Sequence, residues 1–104
     1  MEDRRYAVRF LSLFEEDLSD IVDYITYRLK NPGAARHLVD EIEAAIFNRS
    51  DCAESFEPYP SEKERKYPYY RIYVGNYVVY YVVIDDVMEV RRILYNKRDA
   101  KQLI

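Results

Sequence analysis

From Tyr67 to Tyr95 the chain is built mainly of β-branched and aromatic residues, a composition that points to a sheet. Three runs stand out, at 69–74, 77–84 and 87–95. Gly75-Asn76 and Asp85-Asp86 lie between them, and such pairs suit tight hairpin turns. The expected arrangement is an antiparallel meander. Its middle run is almost wholly apolar, as in a strand flanked on both edges or covered on both faces.

Upstream the period changes. Residues 5–11 alternate as a first strand, with Tyr6, Val8 and Phe10 on one face. Ser12 and Glu15 have capping-box spacing. Phe14, Leu18, Ile21, Val22, Ile25 and Leu29 then mark one stripe of a helix over about 13–30. Glu16, Asp17, Asp20 and Asp23 lie off that stripe, toward water. Asn31-Pro32-Gly33 ends this helix, and Asn31 can cap the next one, with Pro32 in its first position. Ala35, Leu38, Val39, Ile42, Ala45 and Ile46 form the second stripe, and so short a turn makes the helices an antiparallel pair. Residues 50–66 lack periodicity, contain Pro58 and Pro60, and read as a loop. Residues 96–104 have room for one short helical turn. The order β-α-α-β-β-β implies an α+β fold, a single domain over 1–104. Its helical hairpin packs on one face of the antiparallel sheet and leaves the other face open.

Composition excludes several function classes. The chain has 104 residues, room for one core, and 49% of them are apolar. The single cysteine, Cys52, has no disulfide partner, and one Cys with one His cannot make a four-ligand zinc site. With only Gly33 and Gly75 there is no glycine-rich phosphate loop. No metal or cofactor is expected. The start, Met1-Glu2-Asp3-Arg4-Arg5, mixes both charge signs and does not read as a signal peptide. No stretch approaches the roughly 20 apolar residues of a membrane span, so the expected location is the cytoplasm, with no membrane partner. Charge is uneven: residues 1–61 carry 7 Lys+Arg against 13 Asp+Glu, and residues 62–104 carry 9 against 6. An anionic partner would meet the second part.

The ordered set of features resembles the RelE/ParE toxin superfamily. The likeness runs over nearly the whole chain: a strand, an acidic helix, Asn-Pro-Gly-Ala-Ala at 31–35, a second helix and a proline-bearing loop. Then come Tyr70-Arg71, Gly75-Asn76-Tyr77 and Tyr80-Tyr81, and the closing Leu94-Tyr95-Asn96-Lys97-Arg98-Asp99. The resemblance implies the toxin of a type II toxin–antitoxin pair, of plasmid-stabilisation type. Its partner would be a cognate antitoxin protein, with a toxin–antitoxin hetero-oligomer as the assembly. The expected mode of growth inhibition is through translation, since RelE-like members cleave mRNA on the ribosome without a metal. The alternative is the ParE-like mode, in which the toxin poisons DNA gyrase and catalyses nothing. A third reading is a decayed toxin that acts only as an interaction protein.

By the resemblance, Arg71 and Arg98 match basic positions of the nuclease members. The arginine that many of them place early in the middle strand falls on Val78, and a C-terminal tyrosine falls near Ile104. Metal-free RNA cleavage needs a base, an acid and positive charge on the phosphorane. The expected catalytic set is Arg71, Arg98 and Tyr95, with Lys66, Tyr73, Tyr77, Arg92 and Lys97 as substrate-binding residues that pair with phosphates or stack on bases. Arg91 and Arg92 are adjacent on a strand and should point to opposite faces, with one of them pairing to a helix carboxylate such as Glu43. His37 falls on the acidic second helix and reads as a solvent-facing residue. Tyr80 and Tyr81 read as sheet packing.

Overall fold

The computed structural model describes residues 5–61 and 63–104. Residues 1–4, where the mixed charges were read, and Glu62 lie outside the described residues. Strand β1 (Ala7–Phe10) leads into helix α1 (Ser12–Asp23), a π turn (Tyr24–Arg28) and helix α2 (Pro32–Arg49). Strands β2 (Tyr70–Val74), β3 (Tyr77–Ile84) and β4 (Val87–Tyr95) follow, then a 3-10 turn (Ala100–Gln102). This is the expected α+β order.

The sheet is mixed rather than purely antiparallel. Its strand order is β1-β4-β3-β2. The three C-terminal strands form the expected meander, while β1 runs parallel to β4, Ala7 opposite Val87 and Phe10 opposite Val90. Alternation along 5–11 specifies which side chains share a face. It does not specify which strand they join, and the helical hairpin carries the chain from one edge of the sheet to the other.

Helix α1 differs from the sequence reading at both ends. Leu11, not Ser12, is the N-cap of α1, and no side chain caps it. The chain turns one residue early because the Leu11 amide still bonds Val90 O at 3.0 Å. Ser12 therefore lies inside the first turn, where its hydroxyl is wrongly placed for a capping box. At the other end the α-helix stops at Asp23, and the next five residues widen into a π turn, closed by Leu29 N–H to Tyr24 O at 3.1 Å. Lys30 follows with φ 54°, and Asn31 N–H reaches back to Ile25 O. Asn31 caps α2 as expected, accepting the Ala34 amide at 3.1 Å, with Pro32 in the first position.

Two apolar layers sandwich the sheet. On the helix side, Phe14, Ile42 and Ile46 pack on Tyr70, Ile72, Val79, Tyr81, Met88, Val90 and Ile93. Tyr81 is fully buried, as expected: it donates to Ala53 O at 2.7 Å and accepts from Arg49 at 3.0 Å. The opposite face is not open. Tyr69, Val78, Tyr80, Val82 and Leu94 lie there under Tyr59 and Tyr67 of the loop and Ala100, Leu103 and Ile104 of the tail. These covering segments lack periodicity, so the alternation of the strands gave no sign of them.

Candidate functional site

Strand alternation sorts the expected site residues onto two faces. Tyr70, Ile72 and Val74 of β2 point to the helices, so Arg71 and Tyr73 point the other way. The Arg71 guanidinium lies 5.0 Å from the centre of the Tyr59 ring and 5.7 Å from that of Tyr73. Tyr73 is 64% exposed. Tyr77 and Tyr95 are register partners at the turn end of the sheet, on the helix side with Val79 and Ile93. Their rings meet edge to face at 5.9 Å. Burial, then the neighbouring Tyr95 and Tyr24, push the Tyr77 phenol above its ordinary value. The sheet thus brings Tyr77 and Tyr95 together and sets them on the face opposite Arg71 and Tyr73.

Of the remaining basic residues, Arg98, Lys97 and Lys66 stand on irregular segments rather than on the strands. Arg98 stands exposed in the turn after β4, its backbone amide donating to Tyr95 O at 2.9 Å. Lys97 is exposed in the same turn. Lys66 is exposed in the loop, its ammonium 5.4 Å from the Tyr67 ring centre.

Arg92, expected to bind substrate, is held in a structural pair. Its Nε and Nη2 grip the two oxygens of Asp17 at 2.7 and 2.9 Å, and Nη1 donates to Leu103 O at 3.1 Å. The Asp17 hydrogen bond, more than any other influence, raises the already high pKa of Arg92. Asp17, read as facing water, is in fact mostly covered because β1 ends opposite Val90 and leaves the rest of the β4 edge to α1. There the carboxylate also accepts the Ile93 amide at 3.1 Å.

Arg91 and Arg92 do not simply alternate either. Tyr80 pairs with Arg92 and Tyr81 with Val90, so Arg91 is the extra residue of a β-bulge. The bulge turns Arg91 toward Glu89 at 2.7 Å and the Tyr69 hydroxyl at 3.3 Å. Arg9 reaches the same carboxylate at 2.7 Å. Burial pushes the Glu89 carboxyl up, but the two arginines together outweigh it and hold the group below its ordinary value. Of Arg91 and Arg92, one does take a helix carboxylate, as expected, but it is Arg92 on Asp17 of α1 rather than a pairing with Glu43. The sequence did not mark Glu89 as a centre of charge, because its arginines come from β1 and from a bulge.

Among the described residues Arg71 pairs with no carboxylate, and the side chains beside it are the rings of Tyr59 and Tyr73. Burial raises the phenol of Tyr80, across from Arg71 in the ladder, away from neutrality. His37 pairs with Glu41 at 2.7 Å on the exposed side of α2. Among the described residues no cluster of His, Cys, Asp or Glu has the makings of a metal site, and no helix is long and apolar enough to cross a membrane.

Several large apolar side chains also face outward. Tyr27 is 73% exposed on the π turn, with Tyr24 and Leu29 also out, and Tyr95 is 41% exposed.

The fold is shared with known proteins. Over residues 8–100 the chain matches the family model described as the ParE toxin of the type II toxin–antitoxin system parDE. The chain belongs to this family of toxins, within the RelE/ParE superfamily. A chain of the chromosomal ParDE toxin–antitoxin system of P. aeruginosa superposes with a TM-score of 0.71 at 17% identity, over 88% of this chain and 97% of that one. A chain of the archaeal RelE–RelB complex of Pyrococcus horikoshii OT3 superposes with a TM-score of 0.54 at 20% identity, over 91% and 99%. Among curated proteins none matches.

Proposed function

We propose that this toxin is neutralised by a cognate antitoxin and inhibits growth by binding DNA gyrase, without catalysing a reaction itself. One observation carries the choice over mRNA cleavage. Arg71 and Tyr95 stand on opposite faces of the sheet, so phosphate-binding charge and a proton-transferring phenol do not converge on one reacting atom. The sequestration of Arg92 by Asp17 removes a third member of the nuclease set. The family match supports the same side of the alternative, since it is to the ParE branch.

The antitoxin would cover exposed aromatic surface, the kind that marks protein contacts. Tyr24, Tyr27 and Leu29 offer such a surface beside the helical hairpin. A toxin that binds rather than cuts needs this contact area and no assembled acid–base pair.

The test is controlled induction in a bacterial host with two readouts. The expected result is DNA breakage and filamentation while bulk mRNA stays intact, with growth restored by the antitoxin encoded beside the toxin. Early mRNA cleavage with undamaged DNA would overturn the gyrase reading.

A further inference from the structure

A pocket of about 430 Å³ opens between the loop and the tail, on the face of the sheet away from the helices. Tyr59, Pro60, Ser61, Lys63, Arg65 and Lys101 line it. Three of these six are cations, and none pairs with an Asp or Glu of the described residues. Instead Lys63 Nζ donates to Lys101 O at 3.1 Å and Arg65 Nη2 to Ile104 O at 3.1 Å. Each keeps further N–H donors to spare. Cations with donors to spare, gathered in a concavity, attract an anion.

The walls narrow the choice of anion. Arg65 presents a planar fork that suits phosphate oxygens, and two ammonium groups add charge. Ser61 adds a hydroxyl within reach of Arg65 Nε at 3.5 Å. Tyr59 and Pro60 add a flat apolar wall beside the cations, and the volume is that of a small-molecule site. A phosphate joined to a flat ring satisfies both halves.

We propose that this pocket binds a nucleotide through its phosphate, either a free nucleoside monophosphate or the 5′-phosphorylated end of a strand. Two cations come from the loop and one from the tail, so the ligand ties the tail down over Val78, Tyr80 and Leu94. This proposal does not depend on the gyrase reading: it concerns a different face from Tyr77 and Tyr95 and requires no chemistry on the ligand.

Isothermal titration of the folded protein with AMP, a 5′-phosphorylated tetraribonucleotide and inorganic phosphate tests it. The expected result is saturable binding of AMP or the tetranucleotide, with Kd between about 10 µM and 1 mM. Whichever binds more tightly identifies the source. The exposed pair Lys63→Ala/Lys101→Ala should weaken binding by about a hundredfold, one tenfold loss per charged hydrogen bond. Arg36→Ala, which removes a cation from α2, should leave it unchanged. Bound ligand should also slow hydrogen exchange at the Leu103 and Ile104 amides, which bond Ala100 O. Lack of saturation by about 10 mM, or an unaltered Kd in the double variant, overturns the site. Inorganic phosphate binding as tightly as both nucleotides overturns the nucleotide assignment.

Discussion

Arg92 and Asp17 join the last strand to the first helix at the point where the sheet edge loses its partner. Asp17 takes two guanidinium bonds and the Ile93 amide, so one carboxylate closes the open ladder of β4 beyond β1. Their side chains are only 14% and 13% exposed. Removing the acid strands a covered cation and an amide together. Asp17→Ala is expected to cost about 2–4 kcal/mol, read as a lower urea midpoint at constant m.

Glu89 gives the stability a pH dependence. Its carboxyl titrates lower in the folded chain than in the unfolded one, so its contribution is complete above the unfolded value near 4.5. That contribution fades as pH falls through the lower folded value. Glu89→Gln should therefore lower stability at pH 7 and flatten its decline below about pH 4.5. Parallel urea titrations of both proteins at several pH values read the difference. Equal slopes in the acid range would show that Arg9 and Arg91 do not stabilise the charged form.

The Tyr81 hydroxyl is buried between Arg49 and Ala53 O. Tyr81→Phe keeps the ring stacked on Tyr70 but leaves Ala53 O without its donor. The expected loss is about 1–3 kcal/mol by chemical denaturation.

Lys30 carries φ 54° at the exit of the π turn, a left-handed backbone that costs a side chain. It is exposed, so nothing is lost by removing the ammonium stem. Lys30→Gly should raise stability by about 1 kcal/mol, seen as a higher Tm. An unchanged or lower Tm would mean that the added freedom of the unfolded chain outweighs the relief.

Tyr95→Phe distinguishes packing from proton transfer. Tyr95 touches Tyr77 through its ring, and on the gyrase reading nothing is asked of its hydroxyl. Toxicity under controlled expression should match the parent. A hundredfold or greater loss, on the scale of general acid–base catalysis, would restore a catalytic phenol.

The meander, its two turns and both helical stripes were legible because period, β-branching and turn residues are local properties. Asn31 and Pro32 announced the start of α2 for the same reason. The parallel pairing of β1 with β4 was not legible, since alternation is indifferent to the choice of neighbour. The bulge at Arg91 was hidden too: one extra residue shifts the faces of 91–95 without altering their composition. Of the expected site residues, Tyr73 was readable as outward-facing, whereas Arg92 depended on where β1 stops. Tyr59, Lys63, Arg65 and Lys101 escaped notice because segments without periodicity bring them together.

Pairing the first strand with the last has a consequence for synthesis. Ala7–Phe10 must wait until Val87–Val90 has left the ribosome before it can enter the sheet. Until then the apolar side of α1, from Phe14 to Ile21, has no complete sheet to lie on. During synthesis, therefore, α1 presents an uncovered apolar side to whatever binds it first.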